Sequence, residues 1–157
     1  SMIRTESDEV SFNLHILLRW EIENKLLSGT LTVDEVPELW NTRSEEYFGR
    51  APASVSEGAL QDPHWCRRYM GLFTAYIVGN IASAQLAESM ETSGVSIGTA
   101  AANRDFSEVL GWTRTNVHSF GRSLTMTEIL ERATGRPLDA EPYRRHLTGR
   151  YGAASGR

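Results

Sequence analysis

Two four-residue stretches constrain the fold most: "TVDE" at 32–35 and "TMTE" at 125–128. Each places a threonine three residues ahead of a glutamate. That spacing lets two side chains satisfy two backbone N–H groups at a helix start. Each is followed by a segment ending at a glycine, Gly49 and Gly135, the residue that closes helices in the left-handed conformation. Strands have no such punctuation here. No Asn-Gly or Asp-Gly hairpin turn occurs, and no apolar–polar alternation runs for long. The sequence therefore predicts an all-α fold, an irregular bundle of about five to six helices.

The remaining helices follow from spacing and caps. A first runs from about Ser7 to Ser28, with Ser7 as cap, Asp8 and Glu9 at the positive end of the dipole, and Gly29 after it. Val10, Leu14, Leu17, Leu18 and Leu26 sit at helical spacing. The second begins near Thr32, tolerates Pro37 in its first turn and runs through Leu39, Trp40 and Tyr47 to Gly49. Residues 49–65 read as a loop. From Gly71 to about Met90 the chain is apolar on most sides, which predicts a helix buried inside something larger. Residues 92–104 lack amphipathic pattern and predict a mobile loop. Further helices are expected from Asp105 to Phe120, from Thr125 to Gly135 and from about Ala140 to Tyr151, with a frayed tail over 152–157. No internal domain boundary or repeat is evident, so residues 1–157 read as one unit.

Composition narrows the function. A length of 157 residues, 40% hydrophobic, supports a real core without disulfides. The net charge of -4 argues against nucleic acid as the main partner. Cys66 is the only cysteine, which fits a reducing, cytoplasmic location. No membrane span or signal peptide is read. Ser1 and Met2 look like an expression scar.

Two polar stretches invite chemistry. Asp8, Phe12, His15 and Arg19 share one face of the first helix. That face is either a solvated surface with local ion pairs or a cleft wall presenting Arg4 or Arg19 to an anion, since a guanidinium fork suits a carboxylate. The second stretch is "GALQDPHW", where His64 follows Asp62 and Pro63. Phe73, Tyr69 and Tyr76 lie just beyond it, as core or as pocket lining. Zinc needs three or four ligands. His15, His64, His118 and His146 begin no HExxH pattern and no two lie within five residues, so no metal site is read. "GTAAANR" lacks the lysine of a phosphate loop, and no G-x-S-x-G occurs.

Together the two stretches resemble one family. "IRTESDEVSFNLHILLRWEIE" is similar to the I-R-x-E-A-D-E-x-T-Y-x-L-H-I-x-L-R-x-E of the thermostable, Taq-type zinc carboxypeptidases. "EGALQDPHW" resembles their E-G-x-L-Q-D-x-H-W, and "GLFTAYIVGN" their G-Y-F-P-T-Y-x-L-G-N. "DFSEVLGWTRTNVHSFG" and "ILERATGRPLDAEPY" fit the closing helices. The resemblance is collinear over nearly the whole chain.

It implies a larger helical fold split by a deep groove, of which this chain resembles the C-terminal part. The implied activity is hydrolysis of the C-terminal peptide bond of peptides, with zinc or another divalent metal held upstream by an HExxH helix. The full-length protein is expected to be a homodimer; the isolated chain is expected to be inactive and metal-free. By the same resemblance Arg4 holds the substrate's free carboxylate, with Asp62 and His64 as binding groups. His64 and Tyr76 are the catalytic candidates. Asp8, His15 and Arg19 support them. A non-catalytic helical binding or scaffold module is the competing expectation. The departures are Leu72 where the family has tyrosine, Thr74-Ala75 for Pro-Thr, "CRRYM" for a glycine-rich run, and Phe12 for tyrosine. Arg67 and Arg68 within "CRRYM" suggest a preference for acidic substrates.

Overall fold

A computed structural model describes residues 1–152. It has seven α-helices and, among the described residues, no strand. They are α1 (Glu9–Leu27), α2 (Val36–Phe48), α3 (Phe73–Thr92), α4 (Ile97–Asn103), α5 (Ser107–Asn116), α6 (Met126–Thr134) and α7 (Glu141–Tyr151). Short 3-10 turns occupy Arg4–Glu6, Val33–Glu35, Trp65–Arg67 and His118–Phe120. The expected all-α class holds, with one helix beyond the five to six anticipated. The tail expected to fray lies, from residue 153, outside the described residues.

The extra helix is α4, where the sequence predicts a loop. Alanines at 100–102 favour helix strongly even without an amphipathic period. Ser96 caps it by accepting from the Thr99 N–H. Its end is hard to read because Arg104, not glycine, takes the left-handed conformation at φ 55°. α5 is shorter than expected, giving way to a 3-10 turn after Asn116.

Other boundaries follow the predicted signals. Thr32 and Thr125 each donate from the backbone N–H to the glutamate three residues on, at 2.8 and 2.7 Å. Gly49 and Gly135 both sit at φ 75°. The first helix is capped one residue later than predicted. Asp8 accepts from the N–H groups of Val10 and Ser11 at 3.0 and 2.9 Å, while the Ser7 hydroxyl donates back to the Arg4 carbonyl.

The chain forms two compact units, Ser1–Ile77 and the residues from Val78 onward, the division falling within α3. In the first unit α1 packs on α2 around Leu18, Ile22, Val36, Trp40 and Ala59, flanked by Leu26, Leu39, Tyr47 and Trp65. α1 buries polar residues as well: His15, Arg19 and Glu23, at successive i, i+4 positions, lie on the same buried side as Ile16, Leu18 and Ile22. The solvated-face reading of this helix is therefore corrected. Met2 is buried too, and its carbonyl accepts from Gln61 Nε2 at 3.0 Å. Hence the N-terminal residues are integrated into the packing.

In the second unit Gln85, fully buried in α3, joins three segments. Its Nε2 lies 2.9 Å from Thr134 Oγ1 and 2.9 Å from the Pro137 carbonyl, and its Oε1 accepts from the Asp139 N–H at 2.9 Å. Ser89 adds a bond to the Ala133 carbonyl at 2.7 Å. Leu130, the apolar anchor of α6, is buried. Much of α3 is half-buried rather than enclosed, and Gly79 and Ser83 face solvent.

Candidate functional site

The first unit gathers nearly all the predicted site residues around one carboxylate, Asp62. Asp62 follows the 54–61 turns, where Gly58 N–H bonds to the Ser54 carbonyl and packs under Trp40. Arg4 Nε donates to Asp62 Oδ2 at 2.6 Å and Arg4 Nη2 to Oδ1 at 3.2 Å, a two-pronged pairing. Arg19 Nε donates to the same Oδ2 at 3.0 Å. His64 Nδ1 lies 2.5 Å from Oδ1, and His64 Nε2 lies 3.1 Å from the Tyr76 hydroxyl.

The electrostatics fix the proton positions. Burial alone would push the Asp62 carboxyl up. The Arg4 hydrogen bond, the charges of Arg19 and Arg4 and the His64 hydrogen bond outweigh it, holding Asp62 down to about 2. Asp62 is therefore an acceptor at neutral pH, and the proton in the 2.5 Å contact belongs to His64 Nδ1. In neutral His64, Nε2 is then an acceptor, so Tyr76 donates to it.

Arg19 is fully buried. Burial lowers it from 12.5 to about 10, against the opposing pull of Asp62, so it stays charged at neutral pH. Its guanidinium lies 4.6 Å from the Trp40 ring centroid, and its Nη1 donates to the His15 carbonyl at 2.8 Å. Arg4 sits among the rings of Phe12, Phe73 and Tyr76, with centroids 5.7, 5.9 and 5.4 Å away. Such faces stabilise a buried cation. Two arginines thus share one carboxylate, and neither has another ionic partner among the described residues. Arg4, Arg19 and Asp62 by themselves sum to one positive charge.

His15 is not part of the Asp62 contacts. Its ring stacks on Phe48 at 4.3 Å and its Nε2 donates to the Ser1 carbonyl at 3.0 Å. Burial drops it from 6.5 to about 4, so it is neutral. It supports Arg19 through its backbone carbonyl. Asp8 differs more: its carboxylate is committed to the cap of α1 and to the Ser11 hydroxyl, away from the Asp62 contacts. Leu72 is exposed, so of the two positions where the resembled family carries tyrosine, it is 76 whose hydroxyl meets His64. Arg67 and Arg68 are also exposed.

Two contributors escape sequence reading. Gln61 Oε1 accepts from the Arg4 backbone N–H at 2.8 Å, so the Gln-Asp pair grips Arg4 by main chain and side chain together. Glu23 accepts from Trp65 Nε1 at 2.9 Å. A polar residue at an i+4 step from Arg19 was the available signal for the second. Among the described residues no three of His, Cys, Asp and Glu converge as metal ligands would.

The fold is one seen in solved metallocarboxypeptidases. The crystal structure of M32 carboxypeptidase from Deinococcus radiodurans R1 matches all of this chain with a TM-score of 0.90 at 40% identity. Trypanosoma cruzi metallocarboxypeptidase 1 matches 97% of it with a TM-score of 0.90 at 35% identity. The family described as Carboxypeptidase Taq (M32) metallopeptidase matches residues 1–151, and the chain belongs to that family. Thermostable carboxypeptidase 1 of Thermus thermophilus is 35% identical over 156 residues. The chain spans 31% of that relative's length and 32% of the Deinococcus chain.

Proposed function

We propose that this chain is the substrate-binding portion of a metal-dependent carboxypeptidase that releases C-terminal residues from peptides. The observation that carries the reading is the charge balance at Asp62: two guanidiniums on one carboxylate leave one positive charge in an aromatic setting. A peptide's terminal carboxylate is the anion that such a site selects, because a guanidinium binds it through two parallel hydrogen bonds. Arg4 is the arginine assigned to it, with Arg19 holding Asp62 from the enclosed side. His64 and Tyr76 act on the peptide group next to that carboxylate. Asp62 fixes the His64 tautomer, and His64 sets whether the Tyr76 hydrogen is engaged or free to meet a developing oxyanion.

The family name implies a divalent metal, but the residues described here do not fit one. His64 has both ring nitrogens engaged, His15 commits Nε2 to the Ser1 carbonyl, and no third donor converges on either. We assign the metal to residues outside this chain, a reading supported by relatives about three times as long.

The test uses the complete protein with its metal. Tyr76→Phe is expected to lower kcat on the order of a hundredfold, the scale of a single oxyanion donor. Arg4→Lys should erase the preference for peptides ending in a free carboxylate over the same peptides ending in an amide. An unchanged carboxylate-to-amide ratio would remove Arg4 from the role.

A further inference from the structure

Glu23 is buried to 2% exposure, yet no part of the proposed chemistry uses it. It lies on α1 four residues after Arg19, on the same helical face and about 5–6 Å further along. Arg19 holds Asp62 at 3.0 Å, and Glu23 holds the Trp65 indole N–H at 2.9 Å. Asp62 and Trp65 bracket His64. Two adjacent turns of one rigid helix therefore grip the 62–65 segment on both sides of the candidate histidine.

Trp65 is well placed to transmit that grip. Its ring meets Trp40 edge-on at 6.1 Å and Phe73 edge-on at 6.3 Å, while His64 lies against the same Phe73 at 4.6 Å. The segment has little regular backbone of its own. The Arg67 and Tyr69 N–H groups bond to the Pro63 and His64 carbonyls, and Arg68 takes a left-handed conformation at φ 63°. Such a segment is free to rotate about the Asp62 contact unless its far side is also fixed.

We propose that Glu23 is a positioning residue: through Trp65 it completes a two-point clamp that sets the orientation of the His64 ring between Asp62 and Tyr76. The proposal deepens the reading of His64 as a functional group and does not depend on the carboxypeptidase assignment for its test. The carboxylate's value lies in its acceptor oxygen, since its Oε2 is buried without a hydrogen-bond partner. Oε1 is the oxygen that the Trp65 indole meets, and an amide oxygen at the same place offers the same acceptor.

The experiment is nitrogen-15 and proton NMR of the histidine rings in the 157-residue chain, with thermal melts alongside. In the parent chain His64 should show one fixed tautomer, protonated at Nδ1, with that proton shifted downfield by the Asp62 contact. Glu23→Gln keeps an acceptor for Trp65 and should keep the His64 signature at an equal or higher Tm. Trp65→Phe, which keeps a ring but removes the N–H, should lose the downfield proton and mix the tautomers. Glu23→Ala should behave like Trp65→Phe. If Glu23→Ala does not fold, Trp65→Phe against Glu23→Gln decides. A His64 signature unchanged in Trp65→Phe overturns the clamp, as does a Glu23→Gln variant that loses the signature while still folded. In the complete enzyme the clamp predicts a fall in kcat with KM held within about twofold for Trp65→Phe. Loss of the NMR signature without any kcat effect would leave the clamp standing and refute only the role of His64.

Discussion

His15 shows how far a single residue departs from its appearance in sequence. Its spacing with Arg19 suggested a shared polar face, and the face is shared, but it is turned inward. Burial holds the imidazole at about 4 against an ordinary 6.5. The unfolded chain therefore binds a proton that the folded chain refuses between those two values. Stability must fall as the pH drops from 6.5 toward 4, by up to about 3 kcal/mol for a shift of this size. Asp62 acts lower: its folded value of about 2 lies below the ordinary 3.8, so its contribution is complete above pH 4 and is lost as the pH falls toward 2. His15→Phe preserves the stacking on Phe48 and removes the titration. Urea unfolding at pH 7, 5.5 and 4.5 should show a steeper loss for the parent chain than for the variant. Parallel losses would show that His15 is not the group responsible. The Asp62 cluster itself was partly legible: the Arg4, Asp62, His64 and Tyr76 set came from motif resemblance. Its centre did not, because spacing cannot say which of several charges the others share.

At the scale of the element, punctuation was more readable than content. Thr32 with Glu35, Thr125 with Glu128, and the glycines at 49 and 135 all mark real boundaries, since caps are local hydrogen-bond chemistry. Asp8 in place of Ser7 is an error of one residue between two good capping types. α4 was missed because a run of small residues carries helix propensity without any hydrophobic period, and because Arg104 closes it where glycine was the expected signal. Gln85 illustrates a different limit. It lies in a stretch that reads as a helix apolar on most sides, yet it is fully buried and fastens α3 to the end of α6 and to the segment leading into α7. Its partners are Thr134, the Pro137 carbonyl and the Asp139 N–H, all more than forty residues away, so no local pattern announces them. Replacing it with leucine keeps the size but removes all three bonds, although the Thr134 hydroxyl still donates to the Leu130 or Arg136 carbonyl. A typical intramolecular hydrogen bond contributes roughly 0.5–1.5 kcal/mol net, so losing the three part-buried bonds in Gln85→Leu should destabilise by about 2 kcal/mol. Thermal unfolding followed by circular dichroism measures it. A variant within about half a kcal/mol of the parent, on the scale of an ordinary surface change, would show that the three bonds are not made together.

For the whole molecule the informative quantity is proportion. The chain aligns along its full length with relatives that are about three times as long, and it carries a polar cluster of two arginines on one carboxylate but no converging metal donors among its described residues. Substrate-binding groups and metal ligands need not lie on the same stretch of chain in a groove enzyme; each wall can supply one set. The donors present argue the same way. Cys66 is exposed and is the single thiol, and His118 lies on a surface turn of the second unit. A zinc site built from such groups would need three of them at about 2 Å from one point. The 157-residue chain should therefore bind zinc with no defined stoichiometry. It should also release no C-terminal residue from a test peptide, even in excess metal. Elemental analysis after dialysis, with mass spectrometry of the peptide, reads both. One zinc retained per chain, or a peptide shortened by the purified chain, would show that the metal ligands lie here after all and that the division between binding wall and metal wall is wrong. If both results are negative, supplying the remaining two-thirds of a family member as a separate chain is the complementary step. Restored hydrolysis that is lost again with Arg4→Lys for carboxylate-ended peptides, but not with a surface change such as Arg114→Gln, would tie the activity to the Asp62 cluster itself.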